Sequence, residues 1–181
     1  MKRFSLLVAK DSEGGIGRNN ELPWRCRKEY RHFVATSSRL KDGKKAAAIV
    51  GRNTWESIPE KFRPLKNRHN YVISSTIDVA NPGSVPVFKT LSQCMKKIDD
   101  DDEVGDVWIC GGFGMYQEAM KSDRLHRMYI TMIQGKFDCE VFFPSFVEED
   151  FNLVIDPDVP QGTVTEENGI SWSVSVFERK K

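Results

Sequence analysis

The sequence predicts an α/β fold, a mostly parallel sheet of about eight strands with an antiparallel C-terminal end, flanked by about four helices. Three observations carry this. Short apolar runs alternate with helical segments through the first two thirds of the 181 residues, which requires parallel strands joined by right-handed crossovers. Two of those runs, Ala46 to Val50 and Asp106 to Cys110, end in glycine and pass straight into a helix. After His126 the pattern changes to strand, polar turn and strand, which marks antiparallel pairing.

Phe4 to Ala9 is a short apolar run typical of a strand buried on both faces. Asp11 to Arg18 carries Gly14, Gly15 and Gly17 and reads as a mobile loop, because glycine admits backbone conformations closed to other residues. Pro23 fits the first turn of a helix, where its missing N–H is no loss, and that helix is expected to run to about Leu40. Lys41-Asp42-Gly43-Lys44 is a polar turn. Ala46 to Val50 is the second strand; Gly51 ends it, and Arg52-Asn53-Thr54-Trp55 opens a short helix that Pro59 closes, with Asn53 or Thr54 as its cap. Lys61 to Arg68 is a basic turn containing Pro64. Asn70 to Ser74 is the third strand, Asn81-Pro82-Gly83 a turn, and Val85 to Phe88 a short strand. Thr90 caps a helix from Leu91 to Ile98, and Asp99 to Glu103 is an unbroken acidic run expected to be a solvated loop. Asp106 to Cys110 is the central strand, Gly111-Gly112-Phe113-Gly114 its exit, and Met115 to Met120 the last helix. Arg127 to Gln134, Phe151 to Ile155 and Ile170 to Phe177 are the tail strands, with a polar turn at Glu166-Glu167-Asn168-Gly169 before the last.

The totals bound the function. The length suits one domain, residues 1–181, with no internal repeat or linker. A net charge of +1 argues against a nucleic-acid partner, which needs a basic face. No apolar run approaches the roughly twenty residues of a membrane span. Lys10-Asp11 interrupts the N-terminal apolar run, so it reads as a core strand and not as a signal peptide. The four cysteines make no Cys-x-x-Cys pair and the three histidines are scattered, so no metal site is expected; a reduced, cytoplasmic protein is.

In a parallel sheet, ligands gather at the carboxyl ends of the strands. The loop after the first strand, the Gly51 junction, the Ser74 end and the Gly111 junction would meet there. A strand, a glycine and a helix start offer free N–H groups to an anion, and Arg52 adds a fixed cation. Gly111-Gly112-Phe113-Gly114 has neither the dinucleotide fingerprint nor a Walker lysine; tight helix-on-sheet packing explains it as well as a ligand does. Glu29 and Phe33, four apart, share a helix face. A carboxylate beside Phe33 and Tyr30 is either a solvated edge or a charge brought into an apolar pocket to grip a donor-rich ring. Arg68 reads on spacing alone as an exposed turn residue. No Ser-His-Asp set is suggested.

The ordered set of segments resembles the dihydrofolate reductases of animals. It comprises Gly15-Ile16-Gly17 with Leu22-Pro23-Trp24; Glu29-Tyr30 with Phe33; Gly51-Arg52-x-Thr54-Trp55-x-Ser57-Ile58-Pro59; Arg63-Pro64-Leu65 with Arg68; Val107-Trp108-Ile109-x-Gly111-Gly112; Tyr129-Ile130-Thr131; and Phe142-Phe143-Pro144. The resemblance covers almost the whole chain. It implies that family's three-layer fold and NADPH-dependent reduction of 7,8-dihydrofolate, with hydride transfer to pterin C6 and protonation at N5. By the same carry-over, Glu29, Thr131, Trp24 and Leu22 form the catalytic set. Leu7, Val8, Ala9, Glu29, Tyr30, Phe33, Ile58, Phe62, Leu65, Arg68, Cys110, Tyr116 and Thr131 bind substrate. Ala9, Ile16, Gly17, Trp24, Gly51, Arg52, Asn53, Thr54, Ser57, Ser74, Ser75, Lys89, Cys110, Gly112, Phe113, Gly114, Met115 and Tyr116 bind NADPH. The Gly111–Gly112 bond is expected to be cis, antifolates such as methotrexate are expected ligands, and the protein a monomer.

The chain also departs from the family pattern. Relatives usually carry Ser-Arg after the third strand, where the arginine holds the cofactor's 2′-phosphate; here Ser74-Ser75 stands, with Arg52 and Lys89 left to compensate. Phe62 replaces a residue that is often polar, and Tyr30 a phenylalanine. Cys26 falls near the expected folate entrance, where an exposed thiol would alkylate. Two other readings are open on these residues: a related-fold reductase of a pyrimidine precursor of riboflavin, which Glu29-Tyr30 with Arg68 argues against, and a non-catalytic folate- or nucleotide-binding protein.

Overall fold

The structure, a computed structural model, describes residues 1–76, 83 and 85–181. Its strands are β1 (Phe4–Lys10), β2 (Gly15–Gly17), β3 (Lys45–Gly51), β4 (His69–Ile73), β5 (Val87–Phe88), β6 (Val104–Ile109), β7 (Leu125–Ile133), β8 (Val141–Phe142), β9 (Phe151–Val154), β10 (Val164–Thr165) and β11 (Ser171–Arg179). Its helices are α1 (Arg27–Ser37), α2 (Arg52–Ser57), α3 (Leu91–Asp99) and α4 (Phe113–Met120), with short 3-10 turns at Glu60–Phe62 and Glu148–Asp150. Among the described residues the main sheet has nine strands in the order β10-β11-β7-β1-β6-β3-β4-β5, with β9 also paired to β11. β2 and β8 form a separate ribbon.

Burial on both faces explains the parallel core. Ala46, Ala47, Ala48, Ile49 and Val50 are all buried, as an uninterrupted apolar run requires when helices cover both faces. Ala47 and Ile49 join Leu6, Val8, Ile109, Met128 and Ile130 under α3 and α4. On the other face Leu7, Ala46, Trp108 and Tyr129 pack with Phe33 of α1, and Val50 packs with Trp55 of α2. The result is helix, sheet, helix. Among the described residues no helix is long and apolar enough to cross a membrane.

The tail is less antiparallel than its alternation suggested. β7 pairs in parallel with β1, Ala9 opposite Thr131, and only its other edge is antiparallel, Thr131 opposite Val174 of β11. The α4 crossover brings β7 back in the direction of β6, so the parallel core extends one strand further. Val85 and Pro86 lie outside β5. The short strands β2, β8 and β10 went unforeseen, because two or three residues carry too little periodicity to read. Of the turn expected at Asn81-Pro82-Gly83, only Gly83 is among the described residues.

The first helix starts at Arg27 rather than Pro23 and stops at Ser37 rather than near Leu40. Trp24 is drawn into the interior edge-on to Phe137, centroids 5.5 Å apart, which keeps residues 23–26 out of the helix. At the other end the hydroxyls of Ser37 and Ser38 bond back to the carbonyls of Phe33 and Val34, and the chain leaves the helix there. Thr90 caps α3 as predicted, its Oγ1 accepting from the Gln93 N–H at 3.1 Å. The acidic run is not wholly solvated. Asp99 closes α3, and the Arg124 guanidinium donates to both its oxygens at 2.9 Å, pulling that carboxyl down to about 2. The turn at 166–169 is not wholly polar surface either, for Glu166 is buried.

Candidate functional site

The carboxyl ends of β1, β3, β4 and β6 bring the two glycine junctions together. The Gly51 N–H donates to the Gly111 carbonyl at 2.8 Å, and the Cys110 N–H to Ile49 at 2.9 Å. That first bond fixes Gly51 as the N-cap of α2, so Asn53 and Thr54 lie inside the first turn and neither caps it. Gly51 itself gives that turn no side-chain cap. The Gly111–Gly112 peptide is cis. A Cβ at Gly111 or Gly112 would sit 3.1 or 3.0 Å from Thr54 Oγ1, while nothing lies within 4 Å of one at Gly114. Gly111 has φ +127°, a conformation that favours glycine. Beside this cradle Arg52 donates to Thr76 Oγ1 at 3.1 Å and pairs with Glu56 at 3.1 Å. Ser74 Oγ lies 3.3 Å from the same Thr76 hydroxyl, and its N–H donates to Phe88, the residue before exposed Lys89. N–H groups at a helix start, a close-approach glycine pair and two cations suit a phosphate-bearing dinucleotide.

Glu29 leaves the surface. Only 8 % of it is exposed, and burial pushes its carboxyl up to about 7; Thr131 opposes that shift and the Glu166 charge adds to it. Thr131 Oγ1 faces it without a formed hydrogen bond, and Trp24 Nε1, buried with Cys26 and Trp172, also has no hydrogen-bond partner among the described residues. Buried donors of this kind call for a ligand or a water. Ala9 is the register partner of Thr131 and packs against the Trp24 cluster. Tyr116 lies across the sheet, its hydroxyl donating to the Leu7 carbonyl at 2.8 Å.

The same helix leads to a cation. Ser37, roughly 12 Å beyond Glu29 at ~1.5 Å per residue, accepts from Arg68 Nη1 at 2.9 Å. Arg68 Nε donates to Lys66 O at 2.8 Å, and the guanidinium lies over the Phe33 ring at 5.9 Å. Asn70 holds the preceding turn, accepting from the Leu65 N–H at 2.9 Å and returning a bond to its carbonyl. Among the described residues two of five guanidinium donors are thus spent on positioning, which leaves N–H groups that a carboxylate could take.

The predicted residues do not all gather. Val8 turns its side chain into the core under α3 and α4. Tyr30, Leu22, Phe62 and Phe113 are exposed, and Ser57 bonds back to Thr54 O. Cys26 is buried and its thiol pushed up to about 11, so the exposure that alkylation would need is not met. A basic cleft of about 400 Å³ lies at the opposite, amino-terminal strand ends, lined by Arg3, Arg39, Lys41, Trp108 and Arg127 among others; no predicted site residue borders it. Among the described residues no group of three or more His, Cys, Asp or Glu could hold a metal.

Sequence reasoning missed Asp11. Its buried carboxylate accepts from the N–H groups of Gly15 at 2.8 Å, Glu13 at 2.9 Å and Phe137 at 3.1 Å, and from the Cys139 thiol at 3.5 Å. It pins the glycine loop to the β8 segment, where a Cβ at Gly15 would collide with Cys139. From there the loop reaches the cradle, Asn20 donating to the Asn53 carbonyl at 3.2 Å. Burial alone would raise the Asp11 carboxyl; the backbone donors outweigh it and hold it below its usual value. Asp11→Asn should therefore cost about 1–3 kcal/mol and expose the loop to hydrogen exchange. In the parent chain the same loosening should appear as pH falls through the carboxylate range. Unchanged loop protection in the variant would rule out this pin.

The chain matches the dihydrofolate reductase family over residues 3–179. It is 42 % identical to the dihydrofolate reductase of Aedes albopictus over 185 residues, covering 99 % of this chain and 98 % of that one. It is also 42 % identical to the Drosophila melanogaster enzyme, covering 99 % of each. The solved Schistosoma mansoni dihydrofolate reductase superposes with a TM-score of 0.86 at 36 % identity and 99 % coverage of both chains. A fold with this strand order, an acid buried against β7 and a paired glycine cradle thus meets full-length similarity on every side, and the chain belongs to the dihydrofolate reductase family.

Proposed function

We propose that this protein reduces 7,8-dihydrofolate to 5,6,7,8-tetrahydrofolate with NADPH. The observation that carries the reading is the pairing, along α1, of a buried acid at Glu29 with a cation at Arg68. That spacing suits an extended substrate with a donor-rich ring at one end and a carboxylate at the other. NADPH, when bound, supplies the hydride for pterin C6. Gly51, Arg52, Asn53 and Thr54, with Gly112, Phe113, Gly114, Met115 and Tyr116, would hold it, and Ala9, Ile16, Gly17 and Trp24 would border its nicotinamide.

The chain's own residues do the rest. Glu29 accepts the pterin's 2-amino and ring N–H donors as a charge-assisted pair, and Thr131 steadies it. Titrating about neutral pH, it raises the ring's basicity, and a water held by Trp24 Nε1 passes the proton to N5. Closure of the loop from Asp11 to Trp24 excludes bulk water. A monomer in the cytoplasm, inhibited by antifolates such as methotrexate, goes with this reading.

The test is NADPH absorbance decay with and without dihydrofolate, with the product identified. Decay that requires dihydrofolate and yields tetrahydrofolate is expected. Absence of decay with both ligands bound would favour a binding protein. NADH run in parallel tests the Ser75 departure. Arg52 and Lys89 flank Ser74-Ser75 from two sides, so NADPH should still be preferred, and Arg52→Ala should cut that preference about tenfold, the loss of one charge-assisted bond. An unchanged cofactor ratio would remove Arg52 from this role.

A further inference from the structure

Glu29 is the third residue of α1, and Cys26 is its N-cap. A helix begun on Ser or Thr commonly turns a glutamate at that position back onto the N-cap N–H, forming a capping box. Cys26 makes no side-chain cap bond. The acceptor arrives instead from the other end of the chain. Glu166, in the turn between β10 and β11, is 6 % exposed. Its Oε1 accepts from the Lys28 N–H at 3.0 Å, and its Oε2 from the Glu29 N–H at 3.1 Å and the Trp172 indole at 2.7 Å. These two backbone donors are the ones an N-cap side chain would satisfy. Trp172 is itself fully buried, so the carboxylate has a fixed seat.

We propose that Glu166 is the positioning residue of Glu29: by seating the Lys28 and Glu29 N–H groups from outside the helix, it fixes the first turn of α1 so that the Glu29 side chain faces β7 and the site. The inference rests on Glu29 being the acid that grips the substrate ring. Glu166 has a second effect through charge. Its three N–H donors outweigh its burial and hold its carboxyl below the ordinary value, with the Lys28 ammonium assisting. It therefore stays ionised and adds to the burial that pushes Glu29 up to about 7. The other groups facing Glu29 are the Cys26 thiol at the helix start, the Tyr116 hydroxyl from α4 and Thr131 on β7. Burial raises both the thiol and the phenol, so neither ionises near neutrality, and among the described residues Glu166 is the negative charge that acts on Glu29.

The experiment compares the pH dependence of kcat and KM in the parent, in Glu166→Gln, and in the double variant Cys26→Ser/Glu166→Gln. Glutamine keeps the shape but offers one acceptor where three donors converge. In Glu166→Gln, kcat should fall about tenfold, as for one lost charge-assisted bond, and the Glu29 limb of the profile should move to lower pH. The hydroxyl that Cys26→Ser introduces restores a cap from within the helix, so the double variant should regain the melting temperature. It should not regain turnover or the limb, because a cap from residue 26 restores neither the Glu166 charge nor the anchor of the Glu29 N–H to the buried Trp172 seat. If Glu166→Gln does not fold, the double variant gives the same readings. An unmoved limb, or turnover restored along with melting temperature, would leave Glu166 as a cap only and overturn the proposal. A parent chain with no dihydrofolate-dependent oxidation would instead sink the reading of Glu29 on which it rests.

Discussion

Glu29→Ala is expected to lower turnover by a factor on the order of 10²–10⁴, the range of a positioned acid–base group, while the chain stays folded. Burial raises this carboxyl to about 7, and on the proposed reading it is the acceptor for two parallel donors that alanine would not replace. Stability should respond with a sign of its own. Folding raises this carboxyl from 4.5 to about 7, so the folded chain binds the proton more tightly than the unfolded one. The group's contribution is full below about 4.5 and is lost as pH rises through 7, by roughly 3 kcal/mol in all. Thermal melts at pH 5 and pH 8 should therefore differ less in Glu29→Ala than in the parent. Near-parental turnover would remove Glu29 from the chemistry; an unaltered pH dependence of melting would mean that its carboxyl is not buried in solution.

Arg68→Ala should raise the KM for dihydrofolate about 10–100-fold with kcat little changed, since a charge-assisted bond to a carboxylate is worth about 1.5–3 kcal/mol. On the proposed reading Arg68 would grip the end of the ligand remote from the reacting ring, so its contribution would be the same in ground and transition states. Arg68→Lys should recover only part of the loss. The fork that keeps N–H groups for a ligand after bonding Lys66 O and Ser37 Oγ has no ammonium equivalent. Steady-state kinetics on both variants settle this: a fall in kcat with KM unchanged would contradict an anchor at this position.

Much of the site was legible because its parts are local in sequence. Glycine at a strand end, a helix directly after it, and a glutamate four residues before a phenylalanine are patterns within one turn or one loop. Gly51, the Gly111–Gly112 pair and Glu29 stand out on that ground, and Arg68 through the resemblance. What hid from the sequence is what the tertiary fold supplies. Glu166 looks like a polar turn residue until β10 and β11 carry it under α1, and only there does it meet Lys28 and Glu29. Asp11 looks like a loop acid until Phe137 and Cys139 arrive from beyond β7. Helix boundaries failed for the same reason. Pro23 is a good local start, but burying Trp24 against Phe137 outweighs it. Strand β7 was misjudged because its alternating pattern does not say which edge is parallel, whereas the α4 crossover does.

The most direct test of the central claim is the titration of the Glu29 carboxyl itself, followed by carbon-13 NMR in the intact chain, with Glu29→Gln identifying its resonance. A midpoint near 7 is the expected result, because a carboxyl buried beside Thr131 and within reach of the Glu166 charge holds its proton up to neutrality. A midpoint near the ordinary 4.5 would mean that Glu29 stands in water, and the account of how this site protonates its substrate would fall with it.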